Sequence, residues 1–245
     1  MSKTYTYAFI IGLILVLLTI IRLVHVNTKI VTAHVINMDE SKERLAEFQE
    51  NARAAFGTGL PVIRWPAYDS RKMTEKELAP LKLSKYIWKW AVENKKMGMM
   101  GCYLSHRTLL NHLETLPVAS NNAHLILEDD AYVPPDFWKQ WEQVLEEAPG
   151  DWEILQLGVT FPNLRRVHTD GQGRIHRHLG DKGNGGTFAY VVRHSALRKI
   201  NAHLEYMTDP IDIMFRNKWR EWNYYIVYPE ICPHNDHGES IIVEK

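Results

Sequence analysis

Three consecutive carboxylates, Glu128, Asp129 and Asp130, follow the apolar run His124-Leu125-Ile126-Leu127. A run of that kind reads as a buried strand, and a ligand crevice commonly opens where such strands end. Along an extended chain Glu128 and Asp130 point to one side and Asp129 to the other. Neighbouring anions in a crevice need a counter-charge, and a divalent cation with oxygen ligands supplies one. Mg²⁺ or Mn²⁺ takes one or two carboxylates and completes its shell with phosphate oxygens. The Glu128 and Asp130 pair therefore suits a nucleotide diphosphate carrier, whose departing phosphates a metal would neutralise. The plainer alternative is an acidic turn that faces water.

The elements around this triplet follow from periodicity. Residues 30–36 (IVTAHVI) read as a strand, and residues 41–56 carry Leu45, Phe48, Ala52 and Ala55 at helical spacing. Residues 61–65 suggest a second strand, whereas residues 73–90 are mixed and Pro80 interrupts any helix begun at Thr74. Residues 98–116 read as a Gly-led turn feeding a helix with Leu109, Leu110, Leu113 and Leu116 on one side. Residues 123–127 form the strand that carries the triplet. Asp136 is placed to cap a helix that Pro149-Gly150 ends, and residues 152–157 follow as a strand. Asp170-Gly171 marks a hairpin within residues 167–179, and residues 187–192 and 195–204 give a last strand and helix. Alternating strands and helices predict an α/β fold with a mostly parallel central sheet flanked by helices.

With 29 basic and 29 acidic side chains in 245 residues, no net field favours a polyanion, so a nucleic-acid partner is disfavoured. Cys102 and Cys232 show no CxxC spacing, which indicates neither a disulfide framework nor a zinc knuckle. Residues 7–21 (YAFIIGLILVLLTII) carry no charge, and Arg22 near their end can snorkel, so residues 7–26 are expected to anchor the chain in a membrane. A cleaved signal peptide or a buried core helix are the other readings of that run. The expected organisation is a short tail at 1–6, an anchor at 7–26 and one catalytic domain at 27–245.

Six segments, in order, resemble the family 25 glycosyltransferases, which include bacterial lipopolysaccharide galactosyltransferases and collagen hydroxylysine galactosyltransferases. They are Val35-Ile36-Asn37-Met38-Asp39 with Arg44, Ala67-Tyr68-Asp69, residues 101–106 (GCYLSH), residues 127–131 (LEDDA), residues 186–190 (GTFAY) and Pro210-Ile211-Asp212. The resemblance, which covers nearly everything after the expected anchor, implies a type A glycosyltransferase fold, a UDP-sugar donor, Mn²⁺ (or Mg²⁺) dependence and inversion at the anomeric carbon. The acceptor stays open among a glycan, a lipid-linked sugar and hydroxylysine. The apolar run at 7–26 leads to the expectation of a single-pass, type II-like membrane location, in the Golgi or endoplasmic reticulum if the source is eukaryotic, with Lys3 on one side and Arg22 and Lys29 on the other leaving the orientation open.

By the same resemblance Asn37, Arg44 and Asp69 hold the nucleoside, Ser105 and His106 stand near the diphosphate or sugar, and Glu128 and Asp130 hold the metal with Asp129 in support. Each also has a bland reading. Arg44 could pair with Glu40 or Glu47, Asp69 could be a turn residue, and His106 could be a core histidine bonded to a carbonyl. For Ser105 and His106 a helix start after Gly98 and Gly101 would favour phosphate. Inversion needs a base for the acceptor hydroxyl, and Asp212 matches the family's Pro-x-Asp, although it could simply cap residues 213–219. The late cluster His234-Asn235-Asp236-His237 offers His234 or His237 to the metal, or is a solvated tail. The basic stretch Arg165, Arg166, Arg174, His176, Arg177, His178 and Lys182 could meet a phosphorylated acceptor or form a solvated hairpin. Two other functions compete with sugar transfer. One is a catalytically silent membrane-bound relative, which the co-occurrence of Glu128, Asp130, Asp212, Ser105 and His106 opposes. The other is a metal-dependent phosphoesterase, for which further separate His and Asp motifs are wanting.

Overall fold

The computed structural model of the chain describes residues 7, 9–16, 28–78, 82–94, 96–160, 162, 167–168, 173–178, 180, 183 and 185–235. Among the described residues eight strands form one sheet: β1 (Ile30–Asn37), β2 (Val62–Pro66), β3 (Ala123–Glu128), β4 (Ile154–Gln156), β5 (Val167–His168), β6 (Ile175–His178), β7 (Ala189–Arg193) and β8 (Tyr224–Val227). Their order across the sheet is β2-β1-β3-β7-β4-β8-β6-β5. β1 runs parallel to β2 and β3, and β4 runs parallel to β8, whereas β7 is antiparallel to β3 and β4 and β6 is antiparallel to β5 and β8. The expected mostly parallel sheet is thus mixed. The reversals have a local cause at β6, which the short hairpin from β5 forces to run backwards, and a non-local one at β7, which returns between β3 and β4.

Helices cover both faces. In chain order they are α1 (Lys42–Phe56), α2 (Glu75–Leu78), α3 (Lys85–Glu93), α4 (Met97–Glu114), α5 (Phe137–Glu147), α6 (Leu197–His203) and α7 (Ile211–Asn217). Alternation along the strands assigns the two cores, because successive side chains leave opposite sides of the pleat. Val35, Leu125, Leu127 and Val191 pack with Phe48 of α1 and Phe137, Trp141 and Val144 of α5. Ile36, Ile126, Tyr190 and Val192 pack with Met100, Tyr103 and Leu104 of α4, Leu197 of α6 and Phe215 of α7. Burying each such large apolar side chain stabilises the fold by about 1.5–3 kcal/mol, so strand patterning and helix faces reinforce one another.

Most expected elements are found within a residue or two. The stretch expected to be irregular holds the nine-residue helix α3, capped by the Ser84 hydroxyl, which accepts a hydrogen bond from the Ile87 N–H at 3.1 Å. No Gly-led turn precedes α4, which starts at Met97 and has Gly98 and Gly101 in its first turns. β8, a buried aromatic and β-branched run bounded by Asn223 and Pro229, lies between β4 and β6 and is absent from the strands expected from the sequence. Of the span 7–26, residues 9–16 are helical and residues 8 and 17–26 lie outside the described residues; among the described residues no helix is long and apolar enough to cross a membrane.

Candidate active site

The chain leaves β1 toward β2 on one side and returns to β3 on the other, so β1 and β3 are adjacent parallel strands whose connections diverge. A crevice opens at the carboxyl end of such a pair. Register sets its chemistry: Ile36 stands opposite Glu128, which places Asn37 beside Asp129 although 92 residues separate them. The Asn37 amide donates to Asp129 at 2.6 Å and to the Ser41 carbonyl at 3.0 Å, while Arg64 of β2 donates to the Asn37 side-chain oxygen at 2.9 Å. Arg44, in the first turn of α1, ion-pairs with Asp129 and reaches Asp130 at 3.4 Å. It does not take the surface pairing with Glu40, whose carboxylate is held by Arg71 and Lys72.

The three acids thus have different surroundings. Glu128 accepts from Thr187 at 3.1 Å and hydrogen-bonds His106 at 3.1 Å, both through one carboxylate oxygen. Burial acts to raise its pKa, but His106, Thr187 and Arg44 outweigh burial and hold it below its ordinary value. Asp129 is buried, and burial raises its pKa against the pull of Arg44 and Asn37. Asp130 is pushed up to about 6, first by burial and then by Glu128, with Arg44 and His234 opposing. One Asp130 oxygen is buried with no hydrogen-bond partner. Such an orphaned anion beside Glu128 is the arrangement a divalent cation would satisfy, so the donor set fits a hard metal.

An open cleft of about 640 Å³ lies over this cluster, lined by Asn37, Arg44, Tyr68, Asp69, Arg71, Cys102, Ser105, His106 and all three acids. Asp69 begins a 3₁₀ turn at Ser70–Lys72, where its carboxylate accepts from the Arg71 side chain at 2.7 Å. That hydrogen bond holds its pKa at about 2, so Asp69 is both the expected turn residue and part of the cleft wall. His106 is fully buried and bonds the Tyr190 hydroxyl at 3.0 Å rather than a carbonyl. Ser105 and His106 sit in the third turn of α4, which removes the helix-start argument for phosphate binding at these two residues. The Ser105 hydroxyl donates to the Gly101 carbonyl at 2.6 Å and accepts from the Tyr68 N–H at 2.9 Å, stitching the loop after β2 to the helix.

His234 reaches the site through the tail. Its ring nitrogen is 3.3 Å from Asp130, and Asn235 N–H donates to the Asp130 carbonyl at 2.6 Å. His237 lies outside the described residues, as do Asp170, Gly171, Arg165, Arg166 and Lys182. Asp212 stands apart from the cleft lining, inside the first turn of α7 rather than at its cap, accepting from Ile213 N–H at 2.9 Å and Gly186 N–H at 3.4 Å. Among the described residues the basic stretch forms no single cationic face: His176 and His178 are buried, and Arg174 is tied to Gln140 at 3.1 Å and the Pro229 carbonyl at 2.6 Å.

Sequence reasoning passed over Cys102, Arg64, Arg71, Thr187 and Tyr190 as individual site residues. Cys102, Thr187 and Tyr190 stood in quoted motifs, whereas Arg64 is signalled only by register with β1.

A family model described as Glycosyltransferase family 25 (LPS biosynthesis protein) matches residues 30–215. The chain belongs to glycosyltransferase family 25. A search of the curated proteins found no match. The matched span of this family 25 chain begins at the first residue of β1 and ends within α7, so it takes in both strands of the crevice, all three acids and Asp212. It is a glycosyltransferase, and its cleft is read on that footing.

Proposed function

We propose that this family 25 enzyme transfers a hexose, galactose or glucose, from a UDP-sugar to a hydroxyl acceptor with inversion and with a divalent metal in the cleft. The observation that carries the reading is the convergence of Asn37, Arg44, Asp69, Glu128, Asp129 and Asp130, from four separate chain segments, on one cleft at the carboxyl ends of β1 and β3. Glu128 and Asp130, with His234 beside them, would hold Mn²⁺ or Mg²⁺. When bound, that ion supplies positive charge against the diphosphate as it leaves.

The remaining work falls to side chains of the chain itself. Asp129 is a positioning residue: gripped by Asn37 and Arg44, it fixes the end of β3 so that Glu128 and Asp130 face the cleft. Asp69 offers a polar group to the nucleoside, and Arg44 and Arg71 bring positive charge to the wall, whereas the Asn37 side chain, engaged with Asp129, Ser41 and Arg64, holds the strand ends that frame the cleft. Asp212 is the base in this reading. It takes the proton from the acceptor hydroxyl as the acceptor oxygen bonds the anomeric carbon and the bond to UDP breaks, the electron pair leaving with UDP. Its hydrogen bond to Gly186, next to the Thr187 that holds Glu128, supports a place at the rim of the same site.

The test is turnover by the purified chain with Mn²⁺ and a panel of UDP-sugars, read as UDP release with and without acceptors. One UDP-sugar should bind and be turned over, and Asp130→Ala should reduce turnover at least about 100-fold. Binding without turnover on a broad acceptor panel would favour the silent relative. Phosphate release from simple phosphoesters would sink the transferase reading.

A further inference from the structure

Behind the carboxylates lies a second donor set of different chemistry. Cys102 and His106 are one helical turn apart on α4 and therefore share the face turned to the end of β3. The Cys102 sulfur, a His106 ring nitrogen and a Glu128 carboxylate oxygen all lie within 4.8 Å of one another. Around a tetrahedral zinc ion, with metal–sulfur bonds of about 2.3 Å and metal–nitrogen or metal–oxygen bonds of about 2.0–2.2 Å, ligand atoms stand roughly 3.3–3.8 Å apart.

The surroundings are those of a held ligand set. His106 contacts the Tyr190 hydroxyl at 3.0 Å through Nδ1 and Glu128 at 3.1 Å through Nε2. In the metal-free chain the Nε2 proton serves Glu128; with the proton carried on Nδ1 instead, directed at the Tyr190 hydroxyl oxygen, the Nε2 lone pair is free for an ion that Glu128 also ligates. Tyr190 as outer partner then fixes tautomer and ring orientation, as such partners do for metal-bound imidazoles generally. Thr187 donates to Glu128 at 3.1 Å and lies 3.9 Å from the Cys102 sulfur, bracing the other two ligands. Cys102, His106 and Glu128 all border the open cleft, which provides a fourth, exchangeable position.

We propose that Cys102, His106 and Glu128 form a binding site for a thiophilic divalent cation, Zn²⁺ above all, separate in donor chemistry from the oxygen set of Glu128 and Asp130. Sulfur and imidazole ligands select zinc-type ions over Mg²⁺ and Mn²⁺. Coordination replaces the thiol proton by the ion, and the proton leaves to solvent. Glu128 belongs to both sets, so an ion in the sulfur site withdraws a ligand from the oxygen site. The consequence, which rests on the donor-site reading above, is inhibition of sugar transfer by Zn²⁺ that added Mn²⁺ relieves.

Spectroscopy on the metal-free full-length chain tests the site without using turnover. Titration with Co²⁺ should give a thiolate-to-cobalt charge-transfer band that saturates at one equivalent and is abolished by Zn²⁺. The band should persist in Cys232→Ala and vanish in Cys102→Ser, and Zn²⁺ measured calorimetrically should bind Cys102→Ser at least about tenfold more weakly. A Co²⁺ spectrum of the unmutated chain lacking the thiolate band overturns the proposal, whatever the folding of the variants. So does a band that follows Cys232, or unchanged Zn²⁺ affinity in a folded Cys102→Ser. A band in a chain that transfers no sugar leaves the site standing and the transferase reading fallen; transfer without the band does the reverse.

Discussion

Asp129 and Asp130 are adjacent in sequence, yet the fold treats them as opposites. Asp129 accepts from Asn37 and Arg44 and is spent on holding two strands in register, whereas Asp130 keeps a buried oxygen without a partner. Its pKa of about 6 records a carboxylate whose charge the fold disfavours. The sign follows from linkage: the folded chain holds that proton more tightly than the unfolded one, so the penalty grows as pH rises from about 3.8 to 6 and is fully present above. In metal-free protein at pH 7.5, Asp130→Asn should therefore stabilise the fold by roughly 1–3 kcal/mol in urea unfolding, with little gain near pH 4. Destabilisation at pH 7.5 would mean that the pairings with Arg44 and His234 outweigh desolvation.

The loop after β2 and helix α4 meet as closely as backbone permits. A methyl group on Gly101 would sit 2.3 Å from the Tyr68 carbonyl oxygen and 3.1 Å from the Ser70 hydroxyl, so only glycine lets Tyr68 and Asp69 lie against the helix as cleft wall. Gly101→Ala should displace that loop, costing about 1–3 kcal/mol by overpacking and recovering up to ~1 kcal/mol from helix propensity. The expected readout is a UDP dissociation constant about tenfold higher by calorimetric titration, with a modest fall in melting temperature. Unchanged UDP binding would place the nucleotide away from this loop. The glycine and Ser105 were visible in the sequence as a motif, but their role was not. A phosphate-binding helix start and a loop-to-helix stitch use the same residue types, and only the start of α4 at Met97 separates them.

At the scale of the whole molecule, the charge that matters lies under the sheet as well as at its edge. His34 is buried with neither ring nitrogen hydrogen-bonded, and burial, then His112, lowers its pKa to about 4. His124, bonded to Thr32 at 2.7 Å and His194 at 3.0 Å, is likewise lowered to about 4, first by burial. Between about pH 6.5 and 4 the unfolded chain takes up protons that these folded imidazoles refuse, so stability is full above pH 6.5 and declines as pH falls. Each contributes on the order of 3 kcal/mol at most across that window. His34→Leu should make the decline shallower by about half of the pair's share, measured as urea-unfolding free energy against pH. An unaltered slope would show that His34 gains a proton on unfolding no more readily than it does in the fold.

Much of the architecture was written in local pattern. β1, α1, β2, β3 and α5 carry their own periodicity, which suffices to outline them, although neither Ser41 before α1 nor Asp136 before α5 makes a side-chain capping hydrogen bond. The acidic triplet, too, announced a strand end with unbalanced charge, and six ordered motifs gave the family that the match over residues 30–215 establishes. Strand order and direction were another matter. The reversed β7 and the insertion of β8 between β4 and β6 depend on pairing energies between distant segments, which leave no short-range trace in a four-residue run such as Tyr224–Val227. The same holds for partners in the site. Arg44 could have met Glu40 or Glu47, and it meets Asp129 because the β1–β3 register brings the two strand ends side by side. Residue types fixed which charges and ligands were present. Tertiary structure decided which were spent on one another, as His106 and Glu128 are, and which, Asp130 above all, kept an unpartnered atom at the cleft, because burial and distance, not sequence spacing, determine the energy of a charge.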